Sequence, residues 1–258
     1  MLAEERHAKI LDILSRTGAV KTIQLAQLLG TSTETVRKDL LQLDRTGQIR
    51  RVHGGAVSAG EHSAPAYISF SDREPVHVAA KTAIARRAVQ MVSEGQCVGL
   101  DSGTSTFILA EELAAHFEHL TVVTNSLKNA LVLSEKKDFT VILTGGVLKH
   151  DEFSLVSEFA LSFFSRLNID VTFMSVMGIS PEAGFTDQRI NEIQVQNAMR
   201  RVSQKVVVIA DSSKFGRKSL MRICSISDVN CIITDESADP ALVKAVKTAG
   251  TEVVIAPK

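Results

Sequence analysis

The sequence is poor in aromatic residues: it has no tryptophan and one tyrosine, and aromatic residues make up 5% of its 258 positions. Aliphatic side chains must therefore fill the interior, and hydrophobic residues make up 45% of the chain, enough for a sizeable core. A core of valine, isoleucine, leucine and alanine is typical of α/β packing. The length allows one large domain or two.

Cysteine is scarce too, and no apolar run is long enough to span a bilayer. Cys97, Cys224 and Cys231 are odd in number and lack C-x-x-C spacing, which favours buried free thiols over a zinc site or a disulfide framework. The first ten residues, MLAEERHAKI, are too charged for a signal peptide. These features predict a cytoplasmic protein with no membrane partner, no metal and no cofactor.

Net charge is also lacking, because 29 basic residues balance 29 acidic ones. No global field therefore indicates a nucleic-acid partner. The distribution is uneven: residues 1–55 carry nine basic and six acidic side chains, and the remainder carries three more acidic than basic ones. This asymmetry predicts a basic module attached to a near-neutral body.

Three short stretches near the N-terminus have apolar residues at helical spacing, and each ends at a glycine: Gly18, Gly30 and Gly47. The tight break between the second and third is typical of a helix-turn-helix. QIRRVHGGAV (48–57) then predicts a β-hairpin wing, and the small, polar stretch SAGEHSAPA (58–66) predicts a linker. We expect a winged helix-turn-helix over residues 1–57, a linker over 58–75 and a second domain over 76–258.

The third helix has polar side chains on its outer face near its N-terminal end, where a recognition helix reads DNA. Arg37 can fork onto guanine, and hydroxyl groups can hold phosphates or bases. Arg50 and Arg51 would hold phosphate or enter the minor groove, and His53 either contacts phosphate or caps the wing turn. Alone, Arg37 and Lys38 would also fit a solvated face. The predicted DNA-binding residues are Ser32, Thr33, Thr35, Arg37, Lys38, Arg50, Arg51 and His53.

From about Val76, apolar strand-like runs alternate with helical stretches. The runs are continuous, which is typical of a parallel sheet covered on both faces. Polar or glycine-bearing segments follow four of them: DSGTST (101–106), TNS (124–126), TGG (144–146) and DSSKF (211–215). Because ligands of open α/β sheets bind beyond the carboxyl ends of the strands, these segments predict a site for a small anionic polyol.

Within these segments, Gly103 would let the backbone approach a ligand, and the helix that begins after it would favour a phosphate. The same residue types are also ordinary helix caps, and either lysine alone would fit the surface. The predicted effector-binding residues are Asp101, Ser102, Gly103, Thr104, Ser105, Thr124, Asn125, Ser126, Gly145, Gly146, Lys149 and Lys214.

These motifs resemble the DeoR-type bacterial repressors over nearly the whole chain. In the N-terminal part the matching residues are Ser32, Thr35, Val36, Arg37, Lys38, Asp39, Leu40, Arg50, Arg51, His53, Gly54, Gly55 and Ala56. In the C-terminal part they are Asp101, Gly103, Thr104, Thr124, Asn125, Gly145, Gly146, Asp211, Ser213, Lys214 and Phe215. Lys38, Ser157 and the stretch VMGISPEAGFT (176–186) depart from the family's usual pattern.

The resemblance implies a winged helix-turn-helix that binds double-stranded operator DNA, usually as a dimer or tetramer. It also implies an α/β effector domain similar to ribose-phosphate isomerases, with a phosphorylated sugar or related metabolite as effector. The chain is accordingly expected to regulate transcription as a repressor of a carbohydrate-utilisation operon.

A sugar-phosphate isomerase with an appended DNA-binding module is the alternative. Enolisation needs a base beside the substrate carbon, and the isomerases that the domain resembles place paired aspartates in a loop that corresponds to MGIS (177–180), which has no carboxylate. The remaining candidates are Asp101, Asp187, Glu192 and Asp211, and each could equally be a cap or an ion-pair partner. The sequence favours binding without turnover; a purely structural second domain is a third possibility, against which the ligand-like loops speak.

Overall fold

The computed structural model describes residues 3–45, 48–52, 54–58 and 68–257. The chain divides into two compact units, Met1–Ile68 and Ser69–Lys258. Among the described residues, no helix is long and apolar enough to cross a membrane. The same residues form no cluster of histidine, cysteine, aspartate and glutamate that could hold a metal ion.

The first unit is a winged helix-turn-helix. Its elements are α1 (Ala3–Thr17), β1 (Ala19–Lys21), α2 (Thr22–Leu29), α3 (Thr33–Arg45), β2 (Ile49–Val52) and β3 (Gly55–Ser58). The strands form an antiparallel sheet in the order β1-β3-β2. Gly18 and Gly30 adopt left-handed φ angles of 70° and 62° where α1 and α2 end, which confirms these two breaks. Gly47 lies outside the described residues.

A small aliphatic core holds the first unit together. Leu14 of α1, Leu25 of α2, and Val36 and Leu40 of α3 are almost completely buried against one another. Burial of each such side chain contributes about 1.5–3 kcal/mol. Since Val36 and Leu40 point inward, the opposite face of α3 is left to solvent.

The second unit is built on a seven-stranded parallel sheet with helices on both faces. The strand order is β15-β14-β12-β9-β4-β5-β6. The strands are β4 (Cys97–Leu100), β5 (Thr121–Thr124), β6 (Thr140–Leu143), β9 (Ile169–Met174), β12 (Ser203–Ile209), β14 (Cys231–Asp235) and β15 (Glu252–Ala256). The helices are α4 (Phe70–Arg73), α5 (Val78–Val89), α6 (Thr104–His116), α7 (Leu127–Leu133), α8 (Glu158–Phe164), α9 (Ile190–Arg201) and α10 (Pro240–Thr248).

The second unit also contains two smaller sheets, separate from the parallel one. One is the hairpin of β7 (Val147–Lys149) and β8 (Ser154–Val156). The other combines β10 (Gly178–Ser180), β11 (Gly184–Asp187) and β13 (Met221–Cys224). Short 3₁₀ turns lie at Ser212–Lys214 and Ile226–Asp228.

The central strands are buried on both faces, as their continuous apolar runs predict. Val122 and Phe173 pack with α5 and α6 residues in one hydrophobic cluster, whereas Met174 and Val208 pack in another. The cysteines are free thiols, and burial raises the pKa of Cys224 and of Cys231 to about 11. The expectation of buried free thiols is therefore confirmed for these two residues.

The second unit begins earlier in the chain than the expected start at residue 76. Residues 69–75, assigned to the linker from their composition, contain α4, and Ser69 caps it by accepting a hydrogen bond from Asp72 N. Phe70 is completely buried, and its ring packs edge-on against Phe107 and Phe153. The expected boundary was too late because a single phenylalanine between polar residues forms no periodic apolar pattern. The burial of Phe70 is therefore visible only in the structure.

Candidate functional site

The N-terminal end of α3 presents polar side chains to solvent. Ser32 Oγ caps the helix by accepting a hydrogen bond from Thr35 N at 3.1 Å, and the two hydroxyls lie 2.9 Å apart. Thr33, Arg37 and Lys38 are exposed. Arg37 is 63% exposed and lies 3.6 Å from Glu34, and such a pair is weak enough for the guanidinium to turn to another partner.

A buried carboxylate fixes α3 to α1. Asp39 accepts hydrogen bonds from Arg6 Nε at 2.5 Å and Nη2 at 2.8 Å, and its Oδ1 lies 3.1 Å from His7 Nε2. Burial opposes ionisation of Asp39, but the bonds from Arg6 and His7 outweigh it and lower the pKa. The sequence analysis gave Asp39 no contact of its own. Asp39 directly follows Arg37 and Lys38. An acidic residue beside two basic ones on a helix that reads DNA was the sequence signal for a role in positioning that helix.

On the wing, the structure describes only part of the predicted surface. Arg51 is half-buried in β2, and its backbone N donates to Asp44 Oδ1 at 3.0 Å. The backbone of Arg50 pairs with Val57, but its side chain and all of His53 lie outside what the structure describes. Contacts of these residues with DNA stay predictions.

Asp101, at the carboxyl end of β4, is a structural junction. Its Oδ1 accepts from Gly103 N at 3.2 Å and Thr106 Oγ1 at 2.9 Å. Its Oδ2 accepts from Ser175 N at 2.9 Å and Gln196 Nε2 at 2.6 Å. Burial raises the pKa of Asp101, and the nearby charge of Arg189 opposes the rise. Because both oxygens already have partners, this carboxylate shapes the loop and is badly placed to act as a base.

The structure shows a packing reason for glycine at position 103, whereas close approach of a ligand there stays a prediction. Gly103 caps α6 with φ −99°, an ordinary value for any residue. A Cβ atom here would lie 1.9 Å from Ser175 Oγ, so glycine is required by packing inside the protein. Thr104 and Ser105 are buried in the first turn of α6, whose N-terminal end favours an anion.

The segment after β5 lies beside this loop. Ser126 caps α7 by accepting from Asn129 N at 3.2 Å, and Thr124 Oγ1 accepts from Ser126 N at 3.1 Å. Asn125 Nδ2 approaches Ser102 Oγ at 3.4 Å. Asn125 Oδ1 is buried and has no partner among the described residues. A buried acceptor of this kind is stabilised by a donor such as a ligand hydroxyl.

The two predicted glycines and Lys149 lie at the neighbouring hairpin. Gly145 and Gly146 have φ angles of 69° and 127°, and a Cβ atom on Gly146 would lie 2.8 Å from Val156 O. Lys149 lines a crevice of about 340 Å³ with Ser157. None of the residues from the other three predicted segments lines that crevice.

Lys214 and Asp211 come together after β12. Asp211 caps the short 3₁₀ turn by accepting from Ser213 N at 3.0 Å. Burial lowers the pKa of Lys214, while the charge of Asp211 opposes this effect. Burial lowers the pKa of Lys81 to about 8, and the nearby charges of Asp211 and Lys214 also act on this pKa, in opposite directions.

Further charged residues, which the sequence analysis missed as binding residues, lie between these loops. Arg189 Nη2 lies 2.7 Å from Asp187 Oδ2, and its Nη1 donates to Ser102 O at 3.1 Å. Glu152 is paired with both Arg189, at 3.4 Å, and Arg73. We call the following residues the charged cluster: Arg73, Lys81, Glu152, Asp187, Arg189, Asp211 and Lys214. The buried Asp101 lies within reach of the charge of Arg189, and the four basic members of the cluster are the groups that could attract an anion.

Asp211 and Lys214 belong to the predicted DSSKF segment, but no motif indicated Arg73, Lys81, Glu152 or Arg189, because these residues come from α4, α5, the β7–β8 turn and the start of α9. Of the other carboxylates considered as catalytic, Asp187 is paired with Arg189 and Asp211 caps its turn. Glu192 accepts from Ser154 Oγ at 2.7 Å. Each therefore has a structural partner in the fold.

A groove of about 420 Å³ lies apart from the charged cluster, between α8 and α9. Leu161, Phe164 and Ile193 line it, together with Arg201 and Val202. Its apolar walls do not match an anionic ligand. The charged cluster with its neighbouring loops is therefore the candidate site for an anionic ligand.

Comparison with known proteins places both units in one family. Residues 6–62 match the DeoR-like helix-turn-helix domain, and residues 76–236 match the DeoR C terminal sensor domain. The chain belongs to the DeoR family. Its members are transcriptional regulators, so this DeoR-family chain is a DNA-binding regulator with an α/β sensor domain.

Relatives of this DeoR-family protein match over nearly their full length. The HTH-type transcriptional regulator YulB of Bacillus subtilis (strain 168) is 34% identical, covering 100% of this chain and 98% of that protein. GolR of Listeria innocua is 33% identical over 99% and 100%. The glycerol-3-phosphate regulon repressor of Escherichia coli (strain K12) is 31% identical over 91% and 92%.

Solved structures of ribose-5-phosphate isomerases are distantly similar to the DeoR-family chain. One in complex with phospho-erythronic acid has a TM-score of 0.40 and 15% identity, covering 52% of each chain. The enzyme from Neisseria gonorrhoeae has a TM-score of 0.39 and 18% identity over the same shares. Similarity at this level concerns the fold and says nothing about chemistry.

Proposed function

We propose that this regulator represses a carbohydrate-utilisation operon and that a phosphorylated sugar or related metabolite changes its affinity for the operator. The observation that carries the proposal is the charged cluster, a largely buried group that brings four basic side chains together beside the first turn of α6. Among relatives, the name of the E. coli glycerol-3-phosphate regulon repressor supports an effector of this chemical class.

Different groups of the site would bind the phosphate and the hydroxyl groups of such a ligand. The N-terminal end of α6, with Thr104 and Ser105, provides dipoles and hydroxyls for a phosphate, and Lys81 and Lys214 provide positive charge. The free acceptor of Asn125 would take a hydrogen bond from a ligand hydroxyl. An anion that also carries hydroxyl groups satisfies both groups of the site.

The sensor binds this ligand without converting it. Isomerisation requires a base, such as a carboxylate, that is free to move a proton at carbon. Asp101 has donors on both oxygens, and β10, which contains residues 178–180 of the MGIS segment, carries no carboxylate. Binding without turnover is what a sensor requires.

DNA recognition uses the exposed end of α3 and the wing, doubled in a homo-oligomer, either a dimer or a tetramer. One helix-turn-helix contacts few base pairs, so a second copy on an adjacent half-site supplies the missing affinity. Sedimentation of the full chain at micromolar concentration should therefore show a dimer or larger species, and a monomer would contradict this part of the proposal.

Ligand binding and its effect on operator affinity are tested in one set of experiments. The purified chain is heated with sn-glycerol 3-phosphate, ribose 5-phosphate or inorganic phosphate. A ligand at about 100 times its Kd stabilises the folded state by about 2.7 kcal/mol, and the melting temperature rises. Any compound that does so is then added to an operator-binding titration.

Turnover is followed by NMR of the same mixtures. We expect a shift in operator affinity and an unchanged ligand spectrum. A protein that none of the sugar phosphates stabilises would contradict the sensing proposal. Conversion of the ligand that disappears in Glu192→Gln or Asp211→Asn would establish an enzyme instead.

A further inference from the structure

The residues that begin the second unit are held against the charged cluster. Residues 70–74, which we call the latch, comprise α4 and Glu74, and the first unit ends two positions before them, at Ile68. Phe70 N donates to Asp151 O at 2.9 Å. Any change in how the latch is held therefore acts on the chain segment that leads to the DNA-binding unit.

An ammonium group in an aromatic cage holds one side of the latch. Lys128 Nζ lies 4.3 Å from the ring centre of Phe70, 5.0 Å from that of Phe153 and 5.4 Å from that of Phe107. It also lies 2.7 Å from Glu74 Oε1. Cation–π contacts within about 6 Å are attractive. Two latch residues, Phe70 and Glu74, thus share one ammonium group.

The cage includes a residue in an unfavourable backbone conformation. Phe153 has φ 51°, in the left-handed region that non-glycine residues seldom adopt. Such a conformation persists only where the surroundings impose it, and it is common in segments that switch. Phe153 follows Glu152 directly, so the cage and the charged cluster share a stretch of backbone.

Charged groups hold the other side of the latch. Arg73 is paired with Glu152, and Lys81 Nζ donates to Arg73 O at 2.7 Å and to Glu74 O at 3.3 Å. Glu152 also pairs with Arg189, which contacts the loop after β4 through Ser102 O. Glu152 and Lys81 therefore each join the latch to the proposed effector site.

We propose that the latch transmits effector binding to the DNA-binding unit, with Lys128 and Glu74 as positioning residues. The proposal rests on the proposed function. An anion in the cluster attracts Lys81 and Arg189, the groups that now stabilise the latch carbonyls and Glu152. Binding therefore weakens the latch contacts. A ligand shifts an equilibrium only through contacts that differ between two states, and these contacts provide the difference.

The test uses two latch variants and one control in the full chain. Lys128→Met keeps the apolar stem and removes the charge from the cage. Glu74→Gln changes a half-exposed side chain, so folding is preserved even if the first variant is unstable. Lys136→Met is the control, because Lys136 also forms an ion pair, with Glu118 at 3.3 Å, but has no contact with the latch.

Two quantities are measured for each protein with sn-glycerol 3-phosphate and ribose 5-phosphate. The first is the rise in melting temperature, which reports probe binding. The second is the ratio of operator Kd with and without probe, which reports coupling and is about 5–150-fold in typical allosteric proteins. We expect both latch variants to bind the probe within about twofold of the parent while the coupling ratio falls towards one. Lys136→Met should keep the parent ratio.

The change in hydrogen exchange on adding the probe is a readout that a merely structural role would not produce. Adding the probe to the parent should increase amide exchange in residues 70–74, and in both latch variants this exchange should be raised before any probe is added. Parent-like coupling in both variants would overturn the latch and leave the proposed function standing. If no probe stabilises the parent, the proposed function fails and the latch with it.

Discussion

Replacing Gly103 with alanine tests the packing of the loop after β4. The new Cβ atom would lie 1.9 Å from Ser175 Oγ and 2.4 Å from Ser175 Cβ, so Ser175 must move. Gly103 already has φ −99°, so the backbone imposes no penalty. Overpacking costs about 1–3 kcal/mol. Loss of the hydrogen bonds from Ser175 Oγ to Asp101, at 3.0 and 3.1 Å, adds about 1.5–3 kcal/mol for a charged acceptor.

We therefore expect Gly103→Ala to lower the free energy of unfolding of the sensor unit by about 2.5–6 kcal/mol, the sum of the two contributions. Scanning calorimetry of the full chain without ligand measures the change. The matched variants are Ser175→Gly and the double variant, because removing the serine side chain makes room for the alanine. Coupling between these neighbours should make the double variant more stable than the sum of the single effects predicts, by about 1–3 kcal/mol.

Two results would refute this reasoning. If Gly103→Ala unfolds at the parent temperature, the loop has room that the structure does not show. If the two substitutions are simply additive, Ser175 is not what excludes the methyl group. A glycine required only by ligand approach would instead leave unliganded stability unchanged and weaken ligand binding alone.

Three further predictions concern the DNA-binding unit and the charged cluster. Arg37→Ala should weaken operator binding by about 1–3 kcal/mol and relax the preference for one base pair. Arg51→Ala should instead weaken binding to all sequences similarly and flatten the dependence of binding on salt. Binding assays with base-substituted operators at several salt concentrations distinguish the two results. Asp39→Asn should lower the melting temperature of the first unit at pH 7. Because the pKa of Asp39 is lowered on folding, its stabilisation is present at neutral pH and lost as the pH falls below its usual 3.8, so melting curves of parent and variant should converge in acid. Lys81 binds an anion best as an ammonium and has a pKa of about 8. Because a phosphate monoester has a second pKa of about 6, effector affinity in titration calorimetry should be level between about pH 7 and 8 and fall above pH 8, and Lys81→Arg should reduce that fall.

The sequence predicted the features that depend on neighbours along the chain. Gly18 and Gly30 marked helix ends because a left-handed φ favours glycine wherever it occurs. Val122 and Phe173 belong to apolar runs whose continuity is typical of a sheet with both faces covered. The polar segment that begins at Asp101 was placed correctly at a strand end, since this depends on local pattern alone.

The features it could not predict depend on residues far apart. Arg73 pairs with Glu152, 79 positions away, and no local pattern relates the two. Lys81 looked like any helix lysine, and its burial depends on how α5 packs against the sheet. Gly103 was identified, but the side chain that packs against it belongs to Ser175, which follows a different strand, β9. Ser175 also donates a hydrogen bond to Asp101, 74 positions earlier in the chain.

The separate core of the first unit has a consequence for protein synthesis. The DNA-binding unit ends at Ile68, and the second unit that follows it is 190 residues long. The central strand β4 pairs with β9, which lies some 70 residues later, so the sensor sheet cannot close early. At about 5–20 residues per second, the ribosome needs about 10–40 s to synthesise the second unit. A nascent chain can therefore fold its DNA-binding unit many seconds before it has a sensor to control it.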